Sequence, residues 1–224
     1  MTASTFWAAV GAQLRRPEGT AGRIAGHAMR LANARANACA VRALGPLGGE
    51  RILEIGCGPG LALRSILATD VARAIGIDHS PVMIAQAGRN NARSVATGRL
   101  RLLDGDFSAL PIENGSVDAV LAVNVAYFMN DATALVEARR VLVPGGRLVL
   151  YATHATAMRN WRFAGPHSHR LFDDKKLRAL LAAGGFAAVG TTVHEMTAGL
   201  GVQGLIAIAR KSGADGERLA HHAE

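Results

Sequence analysis

A short apolar run at residues 51–55 passes directly into Gly56-Cys57-Gly58-Pro59-Gly60. No other stretch limits the fold as much. An apolar run ended by glycines reads as a buried strand, and glycines between a strand and a helix let a ligand approach the backbone closely. The rest of the chain repeats the alternation. Strands are predicted at 74–78, 100–103, 117–123, 147–153, 187–193 and 202–209, with helices at 61–68, 81–90, 132–141 and 175–183 between them. Near-continuous apolar strands separated by helices make a parallel sheet covered on both faces. The last two strands are joined too closely for a parallel crossover, so they form an antiparallel hairpin. The expected fold is α/β: a doubly wound, Rossmann-like, seven-stranded and mostly parallel sheet with a C-terminal antiparallel β-hairpin.

Ahead of this core, residues 20–45 place Ile24, Ala28, Leu31, Ala38, Val41 and Leu44 at helical spacing, stopped by Gly45-Pro46. The expected organisation is an N-terminal helical cap at 1–45, one domain at 46–211 and a polar tail at 212–224. No internal repeat is visible.

The glycine loop excludes two common nucleotide sites. A dinucleotide fingerprint needs its third glycine at position 61, which is Leu61, and no Gly-Lys-Ser/Thr follows as in a P-loop. What remains is an acid, Glu54, followed by Gly56, Gly58 and Gly60. A second acid, Asp78, ends the next strand 22 residues after Gly56. There a carboxylate can accept both ribose hydroxyls of an adenosine-bearing ligand. Gly105-Asp106-Phe107 follows the third strand and offers an acid and an aromatic ring suited to adenine.

The segments ILEIGCGPG, GIDHSPVMIAQA, LLDGDFSALP and RVLVPGGRLVL, in this order, resemble the class I S-adenosylmethionine-dependent methyltransferases. The type-11 group, similar to the ubiquinone/menaquinone methyltransferases, is the nearest in pattern. The likeness is strong over about residues 50–155. It implies S-adenosylmethionine as cofactor and a set of roles. Gly56, Cys57, Gly58 and Gly60 would lie under the methionine moiety, and Glu54 would fix the loop and the amino group. Asp78 would hold the ribose, His79 and Met83 would line ribose and adenine, and Asp106 with Phe107 would bind adenine. Asn124 would contact the methionine end.

Methyl transfer from a sulfonium is an in-line displacement that needs chiefly proximity and alignment, so no catalytic residue is assigned. On the acceptor side, Asn124-Val125-Ala126-Tyr127 has the spacing of the Asn-Pro-Pro-Tyr motif of amino-group methyltransferases but lacks both prolines. Tyr127 and Phe128 therefore read first as a pocket wall. The remaining acceptor-side candidates are His154, Trp161, Phe163, His167, His169 and, from the N-terminal helix, His27 or Asn33. The added segments leave room for a small-molecule pocket rather than a macromolecular platform. No metal site is expected, and two cysteines, Cys39 and Cys57, cannot make a disulfide framework.

Charge supplies the competing reading. Among 224 residues, 25 Lys and Arg oppose 17 Asp and Glu, a net +8, and only three of the cations are lysines. Such an excess is compatible with RNA, so an RNA-modifying methyltransferase is the alternative, together with a cofactor-binding protein without turnover. The cations concentrate at 1–50, six arginines against two glutamates, and at 159–178, six against two aspartates. With 50% hydrophobic and 19% charged residues, disorder is excluded. No secretory signal or membrane span is read, so a cytoplasmic protein is expected, without membrane contact and with homodimerisation open.

Overall fold

The computed structural model describes residues 18–19, 33–129, 131–159, 161, 169–187, 190–197 and 201–213. Its strands are β1 (Arg51–Ile55), β2 (Arg73–Asp78), β3 (Leu100–Asp104), β4 (Val117–Val123), β5 (Leu142–Thr153), β6 (Thr191–Thr197) and β7 (Gln203–Arg210). They form one sheet in the order β3-β2-β1-β4-β5-β7-β6. β1 to β5 run parallel, and β7 is antiparallel to both β5 and β6. This is the doubly wound sheet with a closing hairpin that the alternation predicts. The strand order reverses between β1 and β4, and open α/β sheets bind ligands at such a switch point.

Helices α1 (Ala34–Leu44), α2 (Leu61–Leu67), α3 (Pro81–Asn90), α4 (Ala92–Ala96), α5 (Thr133–Val141), α6 (Ala155–Met158) and α7 (Asp174–Ala183) cover the sheet. Side chains alternate across the strands and sort into two cores. Leu53, Val120, Leu148 and Leu150 pack with Leu135 and Leu181 of α5 and α7. Ile52, Leu121, Val149 and Tyr151 pack with Leu44, Leu63 and Ile66 of α1 and α2. Glu54 shares the parity of Ile52 and so points to the α1/α2 face. Helix starts follow local chemistry. The Ser80 hydroxyl accepts from Met83 N with Pro81 at the first helical position, and Asp173 accepts from Lys176 N at 2.8 Å.

Three sequence expectations are corrected. The segment Pro144-Gly145-Gly146, read as a turn before the fifth strand, lies inside β5. Pairing to β4 runs from Val117↔Leu142 to Ala119↔Arg147, so residues 143–146 bulge out of the ladder, tied to Lys211 by two backbone hydrogen bonds. The strand read at 187–193 is β6, four residues later. The apolar Phe186 belongs to the end of α7: Gly185 takes φ +84° and Phe186 N donates to Leu181 O, a Schellman closure with its hydrophobic contact. Finally α4, α6 and a 3₁₀ turn at Ala126–Phe128 occupy stretches read as connections. Residues 20–32 of the expected N-terminal helix lie outside the described residues.

The charge excess has a structural use here. Arg99 donates to the carbonyls of Thr69 and Val71, Arg140 to Leu110 and Ile112, Arg147 to Leu44 and Gly45, and Arg170 to Met129. These guanidiniums close loop and helix ends, using several donors at once. Arg147 also holds both Glu50 oxygens at 2.7 and 2.8 Å, tying the residue just before β1 to β5. Burial pushes the Glu50 carboxyl up, but the hydrogen bonds from Arg147 and Leu47 outweigh it and leave it below the usual carboxylate range. The pair thus adds stability above the unfolded pKa of Glu50, and this is lost as pH falls through the lower folded value. Arg147→Met is expected to cost about 2 kcal/mol at pH 7, since both side chains retain some solvent contact, and less at pH 3, where only the hydrogen bonds to the Leu44 and Gly45 carbonyls remain to be lost. Urea unfolding at the two pH values measures both.

Candidate active site

At the carboxyl ends of β1, β2 and β4 a cavity is lined by the glycine loop, Glu54, Asp78, His79, Met83, Phe107 and Val123–Val125, with Phe128 at one side and Asn33 and Asn37 of the α1 segment at another. Gly56, Gly58 and Gly60 all adopt positive φ, at +67°, +50° and +78°. A Cβ on Gly56 would stand 2.6 Å from a Val125 methyl, so only glycine lets the loop pass the turn after β4. A Cβ on Gly58 would meet nothing within 4 Å, and the backbone there is open to a ligand. The loop is anchored from below. Gly56 N and Cys57 N donate to Ile77 O, and Asn90 and Asn91 of the α3–α4 junction donate to the Pro59 and Gly60 carbonyls.

Strand register brings the two acids together. Glu54 pairs with Gly76, two residues before Asp78, so both carboxylates emerge on one face of the sheet from adjacent strands. Asp78 accepts from Gly58 N through one oxygen and Ser80 N through the other, each at 2.9 Å. Burial raises its pKa; the two backbone donors and His79 pull against that rise. Glu54 is 2% exposed, and among the described residues its Oε2 has no hydrogen-bond partner. Burial raises the Glu54 carboxyl well above its ordinary value, a backbone hydrogen bond from Leu63 opposes this, and Asp78 adds to it. A buried carboxylate oxygen without a partner is costly, and a cationic donor is the group that would satisfy it. Among the described residues no Lys or Arg lines the cavity.

Other predicted contacts are placed as follows. Cys57 is buried and its thiol is pushed up by burial, with Glu54 and Asp78 adding to the rise, as befits packing rather than attack. His79 and Phe107 meet edge-on at 5.6 Å between ring centroids, and both line the cavity. Asp106 is exposed and outside the lining. Its carboxylate accepts from Ser108 N at 2.9 Å, and the Ser108 hydrogen bonds hold it below the usual range.

Asn124 has φ +56°, the positive value found at no other non-glycine among the described residues. Its side chain is a junction. Nδ2 donates to Asn33 Oδ1 at 2.9 Å, and Oδ1 accepts from the Tyr127 hydroxyl at 2.7 Å. The Tyr127 oxygen in turn accepts from Thr153 N. Burial pushes the Tyr127 phenol up, and the Thr153 hydrogen bonds oppose it. Tyr127 therefore lies behind the cavity wall, and Phe128 is the wall. His169 is buried one layer further out, 5.0 Å from the Phe128 ring and 5.9 Å from that of Tyr127. His154 is the N-cap of α6: its Nδ1 accepts from Thr156 N, and its Nε2 is 3.8 Å from Glu195. Trp161 packs against the α5/α7 core. None of Tyr127, His154, Trp161 and His169 lines the cavity. His27 and residues 162–168, with Phe163 and His167, lie outside the described residues. Asn37 was not singled out from sequence; a polar residue on an amphipathic helix carries no mark of facing a cavity.

The described residues contain no helix long and apolar enough to cross a membrane and no cluster of metal-ligating side chains.

Comparison with known proteins completes the description. A family model described as a methyltransferase domain matches residues 53–150. The uncharacterized methyltransferase YdaC of Bacillus subtilis is 33% identical over 129 residues, 57% of this chain and 69% of that protein. The demethylmenaquinone methyltransferase of Tropheryma whipplei is 40% identical over 115 residues, 50% of this chain and 45% of that protein. The first three curated relatives are matched over 30%, 62% and 45% of their own lengths, so the chain spans less than two thirds of each. In fold, it superposes on a Haloferax volcanii methyltransferase solved with the Trm112 methyltransferase activator. The TM-score is 0.70 at 20% identity, covering 92% of this chain and 97% of the other. With the loop, the acids and the sheet order, these matches place the chain in the class I S-adenosylmethionine-dependent methyltransferases, in the methyltransferase-domain family.

Proposed function

We propose that the cavity binds S-adenosylmethionine and that the chain transfers its methyl group to a small molecule. The observation that carries the reading is the pair of buried carboxylates, Glu54 and Asp78, flanking an open glycine loop in a cavity lined by no Lys or Arg among the described residues. That is an electrostatic match for a cationic ligand bearing a diol. A carboxylate has about four lone-pair positions; Gly58 and Ser80 use two at Asp78, which leaves two for the ribose hydroxyls. The unpartnered Glu54 oxygen suits the ammonium group. Gly56, Cys57, Gly58 and Gly60 would support the methionine moiety. His79, Met83 and Phe107 would flank ribose and adenine, with Asp106 reached only by a turn of its side chain. Asn124, held by Asn33 and Tyr127, would present its backbone to the methionine end. The cofactor supplies an activated sulfonium methyl, and the protein's task is to align a nucleophile with it and exclude water. We assign no general base. Residues 1–45 act as a cap in this reading, supported by the cavity-lining position of Asn33 and Asn37.

The acceptor is a small molecule because the wall beside the cofactor, Phe128 backed by Tyr127 and His169, is aromatic and suits a flat or apolar body. The alternative acceptor, RNA, draws on the arginine excess. Among the described residues, however, Arg99, Arg140, Arg147 and Arg170 are spent on backbone carbonyls away from the cavity lining. A labelled-methyl screen over phenols, amines, thiols and quinols, with total RNA alongside, tests this. Label is expected in a small-molecule fraction; label confined to RNA reverses the assignment, and no label anywhere with intact cofactor binding favours a binding protein.

A further inference from the structure

The cofactor reading leaves one charge of the ligand unmatched. Glu54 answers the ammonium group of the amino-acid end, but its carboxylate has no Lys or Arg among the described lining residues. The lining does contain two asparagines, Asn33 at the N-cap of α1 and Asn37, four positions apart and so on one face. Their side chains are engaged differently. Asn33 Oδ1 accepts from Asn124 Nδ2 at 2.9 Å, which fixes the amide and leaves its Nδ2 hydrogens as donors. Asn37 is half-buried; its backbone N–H is used within the helix, and its carboxamide has no hydrogen-bond partner among the described residues.

We infer that Asn37, with Asn33 beside it, recognises the α-carboxylate of the bound cofactor, and that Asn37 sets specificity for that group. The inference rests on the cofactor reading above and adds to it a neutral carboxylate cradle on the capping helix. Neutral donors are the fitting chemistry in this place. A guanidinium would bind the carboxylate more tightly but would set a second positive charge near the sulfonium, where two unit charges repel strongly outside bulk water. Two amides supply donors without that repulsion.

Calorimetry on the full chain tests it with three ligands. S-adenosylhomocysteine carries the carboxylate, 5′-methylthioadenosine lacks the whole amino-acid end, and decarboxylated S-adenosylhomocysteine, the thioether with a 3-aminopropyl arm, lacks the carboxylate alone. Asn37→Ala is expected to weaken S-adenosylhomocysteine about tenfold, the loss of one charge-assisted hydrogen bond, and to leave methylthioadenosine unchanged. Asn37→Asp is expected to weaken S-adenosylhomocysteine further, by like-charge repulsion, and to tighten the decarboxylated ligand severalfold. A packing role cannot produce that inversion. The inference is overturned if Asn37→Ala alters no ligand, if it weakens S-adenosylhomocysteine and methylthioadenosine equally, or if Asn37→Asp leaves the preference between carboxylated and decarboxylated ligands unmoved. Wild-type protein that binds none of the three sinks the cofactor reading itself, and the inference with it.

Discussion

Asp78→Ala is expected to reduce affinity for S-adenosylhomocysteine about 100-fold. Two hydrogen bonds from ribose hydroxyls to an ionised carboxylate are each worth about 1.5 kcal/mol at the low end of the charged range, and a factor of ten in affinity is about 1.4 kcal/mol. The same substitution frees Gly58 N and Ser80 N, so part of the loss comes from a looser loop. Asp78→Asn separates the parts. It keeps one carbonyl acceptor but turns an NH₂ toward a backbone N–H, so affinity should stay low while the fold persists. Isothermal calorimetry gives the affinities and circular dichroism the fold. Equal binding by wild type and Asp78→Ala would remove the carboxylate from the site, and with it the main support for the proposed cofactor.

The second large effect is on stability, far from the loop. Gly204 lies on β7 where the Tyr151 ring of β5 crosses its backbone. A Cβ there would stand 2.6 Å from Tyr151 Cζ and 2.7 Å from Cε2. Tyr151 is 1% exposed in the α1/α2 core and cannot swing into solvent without opening it. Gly204→Ala is therefore expected to destabilise by about 3 kcal/mol, the upper end of ordinary overpacking. That lowers the melting temperature by roughly 6–12 °C for a domain of this size. Tyr151→Leu alone should also destabilise, through the void it leaves. Combined with Gly204→Ala it should cost less than the sum, because the added methyl then fills space the ring vacated. Simple additivity of the two changes in denaturant or thermal unfolding would show that ring and glycine do not interact.

Much of the site was legible because glycines and acids at strand ends mark where a parallel sheet binds ligands. Residues 51–55 and 117–123 coincide with β1 and β4, and Glu54, Gly56, Asp78 and Met83 all line one cavity. What escaped was decided by contacts between distant parts of the chain. The strand read at 187–193 begins four residues later, at Thr191, since apolar character alone does not fix where a strand starts. Pro144-Gly145-Gly146 has turn chemistry, yet the ladder continues around it because Lys211 holds the bulge. Tyr127, His154 and His169 carry reactive-looking side chains, but their neighbours at 124, 153, 156 and 128 use them as braces. Asn37 gave no local signal, because only the approach of α1 to the glycine loop gives it a role.

The place of β7 has a consequence for how the protein is made. β6 pairs with β7 alone, and β7 fills the position between β6 and β5. During synthesis, the parallel strands β1 to β5 leave the ribosome first, and β6 then emerges before β7, its partner in the sheet. Until residues 203–210 follow, β5 presents a long unpaired edge and the α1/α2 core lacks Ile206. A nascent chain held at this stage is the form most exposed to capture by chaperones or to pairing with a neighbour. The arrival of β7 is thus the step that covers the edge of β5 and completes the α1/α2 core.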